Sequence, residues 1–453
     1  MKKLILPSLF GDYAVFPAGL PIRVFGASET AGRVTLTLPD GESLTADFSP
    51  EEGSFCVTLP AVERYESEAV LIVSAGGEEY RASHIAIGIV LLAGGQSNME
   101  FLLKDAVRPL ALYPSDKMRF FTEKHVLNEK GEIASKPMSD RWFRADGVSE
   151  LCFSSIGYFV AERLSRTLSV SVGVISLNQG ASRIESWLSP EAVSRVKASA
   201  PLTPYPDTLR PFNQNHWLYY HKYLPVCRYA VSAVLWYQGE SNTGFADGEH
   251  YGKYLHELFA EWRVTNQNED LPFYLVELAS FDSVKAGWAP EPLGAWAPVR
   301  EALVRASLTE KHVYTVSLTE NENVAEIHPV NKYPIAEKLS RAILRTRFGG
   351  EEEYTGPVLN TSSLSDGLLT LTFTHAEGLT LRPTEKGEGA ADLYFILTDG
   401  TNISAEAQIV GETLQTCVPE NAIALAMGYH NVPAHNLYNG SGYLASPFYL
   451  SLK

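Results

Sequence analysis

The sequence predicts an α/β protein: a parallel sheet with helices on both faces, flanked at its N- and C-terminal ends by β-rich modules. Three observations lead there. Between Ile87 and Phe348, short apolar runs alternate with amphipathic stretches. Outside those limits only short alternating runs occur, separated by turn residues. Several residues capable of chemistry fall just after the apolar runs, where the loops of a parallel sheet gather.

Taken in order, residues 1–86 carry period-two patterns such as Val34, Leu36, Leu38 and Phe55, Val57, Leu59, with Pro39, Asp40, Gly41 as a turn. This reads as a small β-sandwich. Residues 87–349 form the α/β unit. Its strands are the apolar runs Ile85–Ala93, Val172–Leu177, Val231–Tyr237, Phe273–Leu278 and Val313–Leu318. The clearest helix puts Tyr251, Tyr254, Leu255, Leu258, Phe259 and Trp262 on one face, and a last helix spans Lys332 to Phe348 with Ile335, Leu339, Ala342 and Ile343. Residues 350–453 return to short strands at Leu368–Thr374, Ala391–Leu397 and Ile423–Tyr429. The proline-rich stretch Pro201–Pro211 reads as an irregular loop over the sheet's active edge.

Composition bounds the function. The 453 residues are 45% hydrophobic and 20% charged, enough for a large core and more than one domain. Lys and Arg number 37 against 53 Asp and Glu, a net charge of −16, which argues against nucleic acid or an anionic lipid surface as partner. No apolar run reaches the roughly 18–20 residues of a membrane span. Lys2 and Lys3 could open a secretory signal, but Leu4–Leu9 is interrupted by Pro7 and followed by Gly11 and Asp12. A cytoplasmic location is therefore expected, unless a signal was removed. Cys56, Cys152, Cys227 and Cys417 show no CxxC or metal-ligand spacing and are expected to be free, buried thiols; no metal or organic cofactor is implied.

The most informative segment is GGQSNME, residues 94–100. A buried strand ending in a glycine turn lifts a hydroxyl to the sheet edge, which makes Ser97 a candidate nucleophile; the plain alternative is a helix cap. His328, in Glu326-Ile327-His328-Pro329, is a candidate base, with Glu326 to orient it and Pro329 to stiffen its loop. After the strand Val231–Tyr237 comes Gln238, a candidate oxyanion donor, and Glu240, which reads better as a carboxylate locking that amide than as a second acid or base. After Val172–Leu177, the backbone N–H of Gly180 or Ala181 could complete an oxyanion hole. In the same segment Arg183 could meet an anionic substrate or form a salt bridge, and Trp187 could face a sugar or pack in the core.

Together these four blocks resemble the SGNH-hydrolase superfamily, and within it the sialate O-acetylesterase-like carbohydrate esterases. That branch shows GQSNM, a glycine-rich segment ending Ile-Glu-Ala-Trp, then WYQGESN, and later Asp-Ile-His-Pro with Asn-Lys. Here they stand at Gly95–Met99, Gly180–Trp187, Trp236–Asn242 and Glu326–Lys332. Similarity extends to Leu4–Phe16 and to His435–Phe448, hence over essentially the whole chain. The resemblance implies a flavodoxin-like sheet, Ser97 as nucleophile, His328 as base, residue 326 as triad acid, and oxyanion work for Gln238 and the Gly180 loop. Two departures matter: Glu326 replaces the usual aspartate, and Ala181 replaces the second of a glycine pair.

The expected function is therefore a serine esterase acting through an acyl-enzyme on an O-acetylated sugar or oligosaccharide. The favoured substrate is an O-acetylated sialic acid. An acetylated xylan or other hemicellulose oligosaccharide is the alternative substrate, and a non-catalytic glycan-binding protein with a degenerate esterase core is the alternative class. The 22 tyrosines and 7 tryptophans favour the last reading, while the intact serine, glutamine and histidine oppose it. The sequence leaves the oligomeric state open.

Overall fold

The computed structural model describes residues 4–452, apart from 110, 124–125, 128–132, 135–139, 200–209, 215, 244–249, 292–293, 320–322 and 386. Most of the proline-rich loop at 201–211 thus lies outside the described residues. The central sheet contains seven strands: β1 (Glu78–Gly95), β2 (Ser115–Thr122), β3 (Trp142–Ala145), β4 (Val172–Asn178), β5 (Ala233–Tyr237), β6 (Phe273–Val276) and β7 (Val313–Val316). Their spatial order is β3-β2-β4-β1-β5-β6-β7. All neighbours run parallel except β3, which pairs antiparallel with β2 at one edge.

The inner strands are apolar on both sides because both faces are covered. Every residue of β4, β5 and β6 is buried. Five helices do much of the covering: α1 (Ser155–Leu168), α2 (Pro190–Ser199), α3 (Tyr251–Asn266), α4 (Ala297–Thr309) and α5 (Tyr333–Phe348). α1 packs on α5, whereas α3 packs on both α2 and α4. The right-handed sense of parallel crossovers puts α2, α3 and α4, which lead from β4 to β5, β5 to β6 and β6 to β7, on one face. β1 lies where the strand order reverses, the position at which open α/β sheets bind ligands beyond the strands' carboxyl ends.

The N-terminal region is continuous with this sheet. Gly32–Thr37 pairs with Ser43–Phe48 and Glu66–Ala75, and the last of these pairs with the first half of β1. Val15–Pro17 runs parallel to Ala86–Gly88, also within β1. The stretch Leu4–Phe16 holds a short 3-10 turn at Ser8–Phe10 and leads into the three-residue strand Val15–Pro17. A second pair, Ile22–Ala27 with Ser54–Leu59, completes the region. At the C-terminal end two four-stranded antiparallel sheets enclose a separate apolar cluster centred on Leu371, Leu393, Leu414 and Leu425.

The four cysteines are free, but Cys56 and Cys417 are exposed, because each occupies an outward position of a half-buried strand. Among the described residues no helix is long and apolar enough to cross a membrane.

Candidate active site

The register of the sheet brings three segments to one level. Asn178 of β4 and Tyr237 of β5 both stand opposite Gly95 of β1, so the residues that follow them leave the same edge side by side. Gly95 adopts φ +131°, and a Cβ there would lie 2.1 Å from the Tyr237 carbonyl oxygen, so only glycine fits. The chain then turns, with the Gln96 N–H donating to the Tyr237 carbonyl at 2.9 Å, and enters one helical turn at Ser97–Glu100.

His328 arrives from the loop between β7 and α5, and its Nε2 lies 2.7 Å from Ser97 Oγ. A hydroxyl hydrogen-bonded to an imidazole can lose its proton to that ring as it attacks a carbonyl. Burial, together with the positive charge of Lys332, holds His328 below the usual histidine range, while Glu326 and Glu100 oppose the shift. Glu326 differs from the expected ring-orienting acid. Its Oε1 accepts the backbone N–H of His328 at 3.0 Å and stays 4.0 Å from Nδ1, beyond hydrogen-bond reach. The longer glutamate arm folds back on the main chain. Pro329 lies in the loop, and the proline of the helix's first turn is Pro334.

Asn98, next to the serine and fully buried, ties the nucleophile turn to the histidine loop. Its Nδ2 donates to Glu240 Oε1 at 2.6 Å and to the Ile327 carbonyl at 3.1 Å, and its Oδ1 accepts from Lys332 Nζ. Glu240 thus locks an amide, as its type and position suggested, but the amide is that of Asn98 rather than Gln238. Desolvation raises the Glu240 carboxyl and drives the Lys332 ammonium down to about 7. The Lys332 Nζ also stands 4.9 Å from the centre of the Phe101 ring and 5.9 Å from that of Tyr237.

Gln238 does not present a donor outward. Its Nε2 lies within 2.8 Å of Asn242 Oδ1, 3.0 Å of the Ser182 carbonyl and 3.2 Å of Gln96 Oε1, and its Oε1 accepts from the Tyr251 hydroxyl at 2.6 Å. With its carboxamide engaged on both ends, Gln238 braces the floor of the site. The Gly180 N–H is also engaged, donating to Glu100 Oε2 at 2.6 Å. A Cβ on Gly180 would sit 3.7 Å from that of Ser97, so the two turns touch. Ala181 has φ +58°, the positive value that a glycine takes more cheaply, and its carbonyl accepts from Asn213 Nδ2 at 3.0 Å.

For Arg183 and Trp187 the structure shows the internal one of the two readings that the sequence left open. Arg183 is buried and pairs with Glu185, Nη2 to Oε1 at 2.7 Å. Trp187 is fully buried; its indole N–H donates to Ser182 Oγ at 3.0 Å and its ring meets Trp236 edge-on at 6.0 Å. An indole whose polar end finds an internal acceptor is a core residue. Sequence reasoning passed over Gln96, Asn98, Glu100, Asn242 and Lys332. The available signal was their adjacency to Ser97, Gln238 and His328 in the same short motifs.

Comparison with known proteins accords with this arrangement. Residues 87–328 match the family model described as carbohydrate esterase, sialic acid-specific acetylesterase. The sialate O-acetylesterases of Pongo abelii and Homo sapiens are 25% and 24% identical to the chain over 391 residues, covering 79% of it and 73% of each of them. The crystal structure of a carbohydrate acetylesterase from Xanthomonas citri superposes with a TM-score of 0.83 at 26% identity, with both chains covered in full. With more than half its length matched by the family model, and Ser97 and His328 joined at the edge of its sheet, the chain belongs to the sialic acid-specific acetylesterase family of carbohydrate esterases.

Proposed function

We propose that the protein is a serine esterase that removes O-acetyl groups from a sugar through an acyl-enzyme, with O-acetylated sialic acid as the substrate. The observation that carries this reading is the 2.7 Å contact between Ser97 Oγ and His328 Nε2. As Ser97 Oγ attacks the acetyl carbonyl, its proton passes to His328 Nε2. The imidazolium then protonates the departing sugar hydroxyl, and water, deprotonated by the same ring, releases acetate and restores Ser97. Glu326 supports the step by fixing the His328 main chain and by its charge. The backbone N–H of Ser97 would meet the oxyanion, the Gly180 N–H being held by Glu100.

The family and the mammalian relatives support the sialate reading. Similarity to the bacterial carbohydrate acetylesterase over the entire chain supports an acetylated carbohydrate more broadly, and an acetylated xylan or other hemicellulose oligosaccharide is the second substrate to test. Acetate release from O-acetylated sialic acids and acetylated xylo-oligosaccharides, measured for wild type and Ser97→Ala, tests both. Release lost in Ser97→Ala establishes the serine mechanism and names the sugar. Release retained by the variant removes Ser97 from its role, and no release from any sugar would favour a glycan-binding protein.

A further inference from the structure

The Gly180 N–H, in the turn that follows β4, is held by a carboxylate from the nucleophile turn: Glu100 Oε2 accepts it at 2.6 Å. The contact is close-packed, since a Cβ on Gly180 would come within 3.2 Å of the same oxygen. Glu100 ends the helical turn that Ser97 begins, so one short segment carries both the hydroxyl and the anion. We infer that Glu100 is a positioning residue for acyl transfer, fastening the Gly180 turn against Ser97 and lending negative charge to the protonated form of His328.

Two links support this. The Gly180 turn holds Ala181 at φ +58°, a geometry that alanine adopts only under constraint, and the Glu100 bond adds to the Gln179 N–H to Gly95 carbonyl bond at 3.1 Å and the Asn213 to Ala181 carbonyl bond at 3.0 Å in supplying that constraint. The His328 ring faces Ser97 on one side, Lys332 of the α5 start on another, and the carboxylates of Glu326 and Glu100, so two anions oppose one cation around it. Because Glu326 stands 4.0 Å from Nδ1, the ring lacks a direct carboxylate hydrogen bond there and depends more on charge from its surroundings. A negative Glu100 raises the ring's proton affinity; removing that charge lowers it.

The inference rests on the esterase reading and is tested on the full chain with Glu100→Gln and Glu100→Ala beside wild type and Ser97→Ala. Glu100→Gln keeps an oxygen for the Gly180 N–H but loses the charge. Its acidic limb of kcat/KM against pH is expected to move to lower pH by roughly half a unit, with KM within about twofold of wild type. Glu100→Ala loses the fastening as well, and its kcat is expected to fall at least about tenfold with a smaller change in KM. A Glu100→Gln profile superimposed on wild type, or a Glu100→Ala kcat equal to wild type, overturns the inference. Inactive wild-type enzyme, or a fully active Ser97→Ala, instead overturns the esterase reading on which it rests.

Discussion

Replacing Asn98 by alanine is expected to damage stability and catalysis together, and the structure sets the scale. Asn98 makes three hydrogen bonds, two of them buried, to the Glu240 carboxylate at 2.6 Å and from the Lys332 ammonium, and a partly buried one to the Ile327 carbonyl at 3.1 Å. Bonds to charged groups contribute about 1.5–3 kcal/mol each and a neutral bond about 0.5–1.5 kcal/mol. The simple sum runs from about 3.5 to 7.5 kcal/mol, and direct approach of Lys332 to Glu240 would recover part of it. A net loss of about 3–5 kcal/mol is expected, read as a lower midpoint in equilibrium urea unfolding at unchanged m. The Ile327 bond is also the tether of the histidine loop, so kcat at low temperature, where the variant stays folded, should fall by at least about tenfold. A stability loss below about 1 kcal/mol would refute the claim that this amide is the hub of the buried network.

Three further outcomes can be checked. Ala181→Gly relieves a positive-φ alanine, a cost of about 1–2 kcal/mol, against about 0.5–1 kcal/mol of added chain entropy, so its urea midpoint should rise by the equivalent of about 0.5 kcal/mol; a lower midpoint contradicts the strain. Trp187→Ala should cost about 3–5 kcal/mol in stability, yet leave KM for the acetylated sugar within about twofold in the folded fraction; a raised KM at native stability would return Trp187 to the substrate. Burial raises the Glu277 carboxyl to about 7, so between its unfolded value near 4.5 and that pH the folded chain binds the extra proton, and stability falls as pH rises. Glu277→Gln should therefore gain up to about 3 kcal/mol relative to wild type from pH 5 to pH 8; a pH-independent difference would show that the carboxyl titrates normally.

Much of the fold was legible because the inner strands are buried on both faces and so read as unbroken apolar runs. β4 and β6 begin at their expected residues, Val172 and Phe273. β2 escaped because its sequence SDKMRFFT mixes charge with apolar residues. Its Arg119 is buried and donates to the Tyr13, Ala14 and His84 carbonyls, a use of arginine that periodicity cannot foresee. β3 is a four-residue edge strand, too short to show a period. In the site, the approach of Ser97 and His328 was legible from glycine turns, strand ends and residue chemistry. The partners of Gln238, Glu240, Arg183 and Trp187 were not, because a side chain's type gives its capacity for hydrogen bonding but not whether that capacity is turned outward or consumed by neighbours, whether as near in sequence as Glu185 to Arg183 or as far as Asn98 from Glu240, 142 positions away. Asn98 and Lys332 show the same limit: each is unremarkable alone and becomes central only once folding removes water from around it.

The continuity of β1 bears on how this protein can be cut, moved or opened. One strand of 18 residues begins among the antiparallel partners of the N-terminal region and ends at the turn that carries Ser97. The family match begins at Ile87, inside that strand. The N-terminal region is thus less a bead on a string than the root of the strand that aims the nucleophile. Excising it would leave the sheet's central strand with an unpaired stump, and amides from Ala82 to Gly95 should exchange with solvent as one cooperative unit spanning both regions.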